Sequence, residues 1–319
     1  MNSSVKQNPW HRRNWGWTFA IGLVGTGVGI GTLWLSPEHG MTVLRSLSAA
    51  RTAPCVLGVA CGLVSGFLAG LLGIGGSLVV VPVLYLLLPA FGVPAVDVPH
   101  AAVATALAAM LPTAMRGAWV QHQRGGLDHG WLLRLGPGAA LGAIGGALFA
   151  LQLHGPALAL MFVAQSLYYG WGLLRAAPPA PGSLRARIAQ RCGALPPWNV
   201  DPLAGGFCAC LGMGAGSLLV PYLMARGVSL LRATATSQAL NLCIALGGAL
   251  GFAALPAAPA APAATVCWPA ALLIGVAATL AVPFGVATAS RIPLALFRRA
   301  LGIVNLLGAA VLLLRTLWP

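Results

Sequence analysis

The chain has 319 residues, of which 58 % are hydrophobic and 7 % are charged, and its mean hydropathy is +0.86. A soluble domain carries about 25 % charged residues, so this composition excludes a soluble globular protein and predicts a polytopic membrane protein. Apolar runs of about 20 residues recur without strand-like alternation, which predicts membrane-spanning helices and excludes a β-barrel.

The formal net charge of +14 comes from 18 basic residues against only 4 acidic ones. Basic residues in short loops with few acids are typical of an inner-membrane protein. No basic face is interleaved with stacking aromatic side chains, so nucleic acid is not expected as a partner. The 7 cysteines are odd in number and lack metal-site spacing, so we interpret them as small apolar residues and expect no metal or other cofactor.

The order of polar and apolar segments predicts two membrane repeats. Residues 1–53 are assigned to a basic arm, one additional transmembrane helix without a charged residue at 16–35, and a polar connection. Residues 54–174 form the first predicted repeat, and residues 202–319 form the second. Between them, residues 175–201 are rich in proline and arginine and are assigned to a cytoplasmic linker.

Each predicted repeat begins with an apolar segment that a cluster of glycines interrupts. Residues 73–77 read Gly-Ile-Gly-Gly-Ser, residues 212–217 read Gly-Met-Gly-Ala-Gly-Ser, and Pro82 and Pro221 follow at the same spacing. Glycine costs roughly 1 kcal/mol against alanine in a helix, so both clusters predict unwound backbone. Two interrupted segments at corresponding positions of two halves indicate the substrate site of a transporter.

Three helices are predicted to follow each break. The first set is assigned to residues 100–120, 131–153 and 156–174. The second set starts near residue 231 and continues at 268–290 and 294–317. The first helix of each set carries a matching Ala-Thr pair, at Thr105 and Thr236.

Charge distinguishes two topologies. If each broken segment crossed the membrane once, the arginine-rich linker would face outward, against the positive-inside rule. If each is a re-entrant hairpin that leaves on the side it entered, every basic residue except Arg45, Arg51 and Arg315 lies on the cytoplasmic side. This topology places the amino terminus inside, inverts the two repeats and brings the two glycine breaks together near the middle of the membrane.

The residues at the breaks predict an anion site. Free N–H groups at a helix start bind anions without a charged side chain, and nearby hydroxyl and amide groups add donors. Arg116 is an intramembrane arginine and a further candidate, although a position near the cytoplasmic end would also let it reach the interface. The alternative is that the glycines only permit close helix packing. No nucleophile–base pair or paired carboxylates are evident, so no catalytic residue is expected.

The repeated motifs resemble those of the TauE/SafE family of sulfite exporters. That family has a glycine-rich element ending in a proline, then an Ala-x-x-Thr-Ser stretch, once in each half. Residues 72–82 and 102–105 match the first copy, and residues 212–221 and 233–237 match the second. The loop at 121–128 is similar to the family's basic-glycine-valine-aspartate loop.

The sequence also departs from the family pattern. Ser77 replaces the last glycine of the first element, Ala215 interrupts the second, and Ala106 stands where serine is common. The resemblance implies export of sulfite or small organosulfur anions across the bacterial inner membrane.

We therefore expect an all-α polytopic membrane protein of two inverted repeats, each with a glycine-broken re-entrant hairpin plus three helices, preceded by the additional helix. The expected function is secondary transport of sulfite or a small oxyanion by alternating access, with a small anionic substrate and the lipid bilayer as partners. A non-transporting membrane scaffold or assembly protein is the alternative. The candidate substrate-binding residues are Gly73, Gly75, Gly76, Ser77, Thr105, Arg116, Gly212, Gly214, Gly216, Ser217, Thr236, Ser237 and Asn241.

Overall fold

The computed structural model describes residues 52–73, 75–175, 196–254, 266–289, 302–303, 305–310 and 312–313. These residues form α-helices and short connections, and no strand occurs among them. The predicted helix at 16–35, most of the linker and most of the last predicted helix lie outside the described residues. The prediction of an all-α membrane protein is confirmed for the described part of the chain.

Within the described ranges the helices follow one another in two similar series. They are α1 (Thr52–Leu72), α2 (Ser77–Leu87), α3 (Val98–Gln123), α4 (His129–Gln152), α5 (Gly155–Leu174), α6 (Pro197–Cys210), α7 (Gly216–Ala225), α8 (Leu230–Ala254) and α9 (Trp268–Thr288). A short 3-10 helix (Leu88–Phe91) continues α2. Helix α6 begins five residues before the predicted start of the second repeat, inside the segment assigned to the linker.

Five of the described helices are long and apolar enough to cross a membrane, namely α1, α3, α4, α8 and α9. Helices α2 and α7 have only 11 and 10 residues, and α6 has 14. At 1.5 Å per residue these three helices are too short to span a hydrocarbon core of about 30 Å. Large side chains such as Leu141 and Phe284 are exposed on the outside of the bundle, where a membrane protein meets lipid.

Helices α3 and α8 form the centre of the bundle and run in opposite directions. Of the most apolar 18-residue stretch of each helix, 78 % is buried in α3 and 72 % in α8, against 33 % in α4. Gly117 of α3 lies against Gln238 near the start of α8, whereas Gly248 near the end of α8 lies against Leu107 of α3. The two helices are therefore antiparallel neighbours.

Two further helix pairs pack closely through glycine, α1 with α9 and α4 with α6. A Cβ at Gly62 of α1 would lie 2.5 Å from the carbonyl oxygen of Ile274, and one at Gly70 would overlap the carbonyl oxygen of Val282. Residues later in α1 contact residues later in α9, so the two helices are parallel. Without side chains at these positions the backbones approach closely enough for dense van der Waals packing.

The pair of α4 and α6 repeats this arrangement. A Cβ at Gly142 or Gly146 of α4 would overlap the carbonyl oxygen of Pro202 or Gly206 of α6. Again the contacts advance together along both helices. The first arm of each glycine-broken segment is therefore packed in parallel against a long helix from the other half of the chain.

The first glycine break is the tip of a helical hairpin. Gly76, at the start of α2, lies against Ser65 of α1, and Leu87, at the end of α2, lies near Gly58. Helix α2 therefore returns along α1 in the opposite direction.

The second glycine break also reverses the chain. Gly206 of α6 lies against Gly146, close to the end of α4, whereas the ring of Tyr222 in α7 stacks edge-on at 6.4 Å from Trp131, at the start of α4. Between Gly206 and Tyr222 the chain therefore reverses its direction and returns along most of the length of α4. Helices α6 and α7 are thus the two arms of a second hairpin.

Candidate functional site

The tips of the two hairpins touch each other. A Cβ at Gly75 would lie 2.9 Å from the Cα atom of Gly214, 3.2 Å from Sδ of Met110 and 3.3 Å from Nδ2 of Asn241. Met110 and Asn241 lie near the midpoints of α3 and α8. The two glycine breaks, which are far apart in sequence, therefore meet at the centre of the bundle.

The glycines of the first break are required by its backbone. Gly73, Gly75 and Gly76 have φ values of 67°, 83° and 66°. This left-handed region costs a residue with a side chain roughly 1–2 kcal/mol. In addition, a Cβ at Gly73 would overlap the carbonyl oxygen of Thr234, and one at Gly76 would overlap that of Ser65.

The second break needs a left-handed glycine only at its start. Gly212 has a φ of 66°, and a Cβ there would lie 3.2 Å from the Cα atom of Val103. Ala215 precedes α7 with a φ of −55°, which any residue adopts. This backbone difference explains why the sequence tolerates alanine at position 215 but has glycine at the corresponding position 76.

The side chain of Asn241 joins the two tips. Its Oδ1 atom accepts a hydrogen bond from the backbone N–H of Ala215 at 2.6 Å, and its Nδ2 atom donates to the carbonyl oxygen of Gly73 at 3.2 Å. Ser237, one helical turn earlier, donates to the same Gly73 oxygen at 3.1 Å. Both side chains are fully buried on α8. Two predicted site residues therefore lie at the tips, where they satisfy backbone groups that the breaks leave unpaired.

The starts of the two return helices carry buried hydroxyl groups. Ser77 is 1 % exposed, and its Oγ atom has no hydrogen-bond partner among the described residues. Ser217, the second residue of α7 after Gly216, donates its Oγ–H to the carbonyl oxygen of Gly214 at 3.1 Å. The N-cap residues Gly76 and Ala215 provide no side-chain cap to the first turns of α2 and α7. The first turn of each helix can therefore present N–H groups, and at Ser77 a free hydroxyl, to an anion.

Thr105 and Thr236 face the loops that precede α9 and α4. The Oγ1 atom of Thr105 accepts from the backbone N–H of Cys267 at 3.0 Å, and that of Thr236 accepts from the N–H of Asp128 at 3.2 Å. Cys267 and Asp128 are the residues immediately before α9 and α4. Both threonines, predicted to bind substrate, thus hold equivalent helix starts in place, and their hydroxyls are engaged by the chain itself.

Arg116 lies inside α3 and is buried. Within the part of the chain that the structure describes, the Nη1 atom of its guanidinium has no hydrogen-bond partner. Eight residues further along α3, just past the helix end, Arg124 donates to the carbonyl oxygen of Val286 at 2.8 Å and so caps the last turn of α9. The two arginines therefore differ: the Arg124 guanidinium satisfies a helix end, whereas Nη1 of Arg116 bonds none of the described residues.

Sequence reasoning missed a polar stripe on α5. The hydroxyl of Tyr169 donates to the carbonyl oxygen of Ser217 at the second tip. One turn earlier, Gln165 and Ser166 are buried, and Nε2 of Gln165 and Oγ of Ser166 bond no residue in the described ranges. The sequence does carry a signal, since Gln165 and Tyr169 are polar residues spaced four apart in an apolar helix. That signal lies outside the repeated motif on which the site prediction was based.

The chemistry that these groups allow is binding rather than catalysis. Amide, hydroxyl and backbone N–H groups dominate the surroundings of the tips. Across the described ranges, no three His, Cys, Asp or Glu side chains come close enough to hold a metal ion. Hydrogen-bond donors without carboxylates fit a small anion.

Comparison with known proteins agrees with this description. The family model "Sulfite exporter TauE/SafE" matches residues 58–312, which include both hairpins and the central helices. The chain belongs to this family. A "Probable membrane transporter protein" of Haemophilus influenzae is 28 % identical over 193 residues, which cover 60 % of this chain and 70 % of the relative. No solved structure matches the chain.

Family membership and the five long apolar helices identify a multi-pass membrane transporter. The family and the relative are transporters and not enzymes. The resemblance inferred from the glycine motifs is therefore confirmed.

Proposed function

We propose that this TauE/SafE transporter exports sulfite or a small organosulfur oxyanion across the bacterial inner membrane, with the substrate bound between the two hairpin tips. The observation that carries the proposal is the contact between Gly75 and Gly214 beside Asn241. Unwound backbone at the centre of a membrane bundle is the arrangement in which transporters bind ions and small anions.

The side chains around the tips favour an oxyanion over a cation. Ser77, Ser237 and Asn241 are buried near the breaks and are uncharged donors. A hard cation would need carboxylate or carbonyl ligands, and the Gly73 carbonyl is already taken by Ser237 and Asn241. An oxyanion accepts several hydrogen bonds at once and so matches a donor-rich lining.

We further infer that the chain consists of two inverted repeats that move against each other during alternating access. Three observations support this inference: α3 and α8 are antiparallel, α1 packs in parallel on α9, and α4 packs in parallel on α6. The two hairpins then enter from opposite sides, with the amino terminus and the linker at 175–201 in the cytoplasm, as the positive-inside rule favours.

Flux of radiolabelled sulfite into proteoliposomes tests the proposal. Wild type is compared with Gly214→Leu, which places a bulky side chain where the tips touch. Gly145→Leu in α4 is the matched control, because a Cβ there meets no atom within 4 Å. Wild type and the control should transport, and Gly214→Leu should not, with all three proteins monodisperse and equally helical by circular dichroism.

Two results would overturn the proposal in different ways. Normal transport by Gly214→Leu would mean that the substrate does not pass between the tips. No flux of sulfite or of an alkanesulfonate by folded wild-type protein would remove the substrate assignment and favour the scaffold alternative.

A further inference from the structure

Asp201 is a buried carboxylic acid on α6. Its side chain is 3 % exposed, and its Oδ1 atom has no hydrogen-bond partner among the described residues. The other acids in the described ranges, Asp97 and Asp128, directly precede α3 and α4 and are only half-buried. Of the described acids, Asp201 is therefore the one that the bundle encloses. An acid in this position inside a membrane protein calls for a functional explanation.

The backbone of α4 makes room for this carboxyl group at Gly138. A Cβ at Gly138 would overlap Oδ2 and Cγ of Asp201 and would lie 3.0 Å from Oδ1. Gly138 is the tenth residue of α4, which places it about 14 Å along the helix from its start. The carboxyl group therefore lies directly on helix backbone, well inside the bundle.

The packing of a hairpin arm on a long helix does not itself require this acid. The corresponding position of the first hairpin is Gly62, eleven residues before the first glycine break. Asp201 likewise lies eleven residues before the second break. A Cβ at Gly62 would lie 2.7 Å from the Cβ atom of Ala277, so two small residues meet at this point of the α1–α9 contact. The α4–α6 contact has a carboxyl group there instead.

The arginines closest in sequence to these contacts are directed at aromatic rings. The guanidinium of Arg134 in α4 lies 5.8 Å from the centre of the Trp131 ring. That of Arg226, just after α7, lies 5.4 Å from the centre of the Tyr222 ring. The remaining titratable side chains of α3, α4 and α8, the helices that contact α6, are His100, Arg116, His122, His129, Arg232 and Cys243.

Among the described residues, no basic side chain lies close enough to Asp201 to neutralise its carboxylate. An ionised carboxylate would therefore be buried without an opposite charge, which is strongly unfavourable. The protonated acid is neutral, and its burial costs much less. The enclosed position thus favours the form of Asp201 that carries a proton.

We propose that Asp201 is a proton-binding site that couples anion transport to the protein's uptake and release of one proton. The coupling rests on the proposed function, because it requires that the two halves of the chain move against each other. Helix α4 belongs to the first half and α6 to the second, so this motion opens the contact that encloses the carboxyl group. Opening lets water reach Asp201, the O–H bond breaks, the proton passes to water and a hydrated carboxylate remains. Closing the contact requires that the carboxylate bind a proton again.

Infrared spectroscopy of the purified full chain tests the protonation without requiring transport. The chain has only 4 acidic residues, so the carbonyl stretching band of a protonated carboxyl group can be assigned by single substitutions. The protein is measured at neutral pH in a detergent that contains no carbonyl group. Wild type should show this band, and Asp201→Asn should lose it.

A second neutral variant and a matched control accompany Asp201→Asn. Asp201→Gly also removes the carboxyl group, and glycine is the residue at the corresponding position 62 of the first hairpin. Asp128→Asn is the control, because the Asp128 side chain accepts from the N–H of Trp131 at the start of α4 and asparagine can do the same. The control should keep the wild-type band.

Initial uptake of radiolabelled sulfite into proteoliposomes tests the coupling. The external pH is held constant, so the protonation state of the sulfite offered to the protein does not change, and only the internal pH is varied. Valinomycin with equal K⁺ on both sides clamps the membrane potential, and uptake by protein-free liposomes is subtracted. The wild-type rate should depend on the internal pH. This dependence should be lost in Asp201→Asn and Asp201→Gly and retained in Asp128→Asn.

The outcomes separate this inference from the proposed function. A wild-type protein without the infrared band, or a band that persists in both Asp201 variants, overturns the proton site. A dependence of uptake on internal pH that persists in both variants overturns the coupling, even though sulfite is transported. A band that both variants lose, in a wild-type protein that moves no sulfite, supports the proton site and contradicts the proposed function alone.

Discussion

Both glycine breaks reverse the direction of the chain, but they differ in backbone conformation and in the side chains that bond them. The first uses three left-handed glycines, Gly73, Gly75 and Gly76, whereas the second uses only Gly212. Side chains of α8 bond the backbone of both breaks, and the second break has two further side-chain hydrogen bonds: Ser217 donates to the Gly214 carbonyl, and Tyr169 donates to the Ser217 carbonyl. The comparison shows that the first tip requires more left-handed backbone, whereas the second tip has two side-chain hydrogen bonds that do not come from α8.

Asn241 is the element that the two breaks share. It accepts from Ala215 of the second tip and donates to Gly73 of the first. Because α8 belongs to the second half of the chain, the bond to Gly73 crosses between the halves. A motion that separates α8 from the first tip would break this bond.

The largest effect on stability is expected for substitutions that test the different backbone conformations of the two tips. Gly76→Ala should destabilise the protein by at least about 2 kcal/mol, since it places a side chain at positive φ and drives a Cβ into the Ser65 carbonyl. The reciprocal change Ala215→Gly should cost less than about 1 kcal/mol. Denaturant or thermal unfolding in detergent measures both. Equal costs at the two positions would remove the distinction between the tips.

A smaller effect on stability is expected for substitution of Asn241, whose side chain joins the two tips. Asn241→Leu removes the bonds to both tips and leaves Ala215 N–H without its partner, for a loss of about 1–3 kcal/mol. Transport should fall together with stability. The conservative control Asn241→Gln keeps both polar atoms, so it should recover part of the stability. A leucine variant as stable as wild type would show that the bridge is not maintained in the folded protein.

The smallest effect on stability is expected for substitution of Tyr169, whose hydroxyl group bonds only the second tip. Tyr169→Phe removes the hydrogen bond to the Ser217 carbonyl and should cost about 0.5–1.5 kcal/mol. The adjacent Tyr168 is 72 % exposed, so Tyr168→Phe is the matched control and should be neutral. Hydrogen exchange should increase in residues 212–220 of the Tyr169 variant and not in residues 73–81. Equal loosening of both tips would contradict separate support.

The unwound backbone at both breaks could be predicted from the sequence, because a glycine cluster inside an apolar segment strongly favours it. The distribution of basic residues led to the expectation that the breaks are hairpin tips that meet. The contact of Gly75 with Gly214 follows that expectation. The orientation of the threonines could not be predicted. A helix turns by about 100° per residue, so neighbouring positions such as Thr236 and Ser237 face different partners, one a loop and the other a hairpin tip.

Other features of the site depend on contacts that a repeated motif does not contain. Tyr169 lies on a helix far from the breaks in sequence, and its role follows only from the packing of α5 near α7. The burial of Gln238 depends on Gly117 on another helix, which leaves space for the amide.

Substrate protection of single cysteines tests the central claim, that both tips form one substrate site. Ser77→Cys and Ser217→Cys are introduced separately into a chain whose 7 native cysteines are replaced, and the rate of thiol modification is measured against sulfite concentration. The account predicts that sulfite slows modification at both positions, with half-protection at the same concentration. Protection at only one tip, or at neither tip in a variant that still transports, would contradict a site shared by the two hairpins.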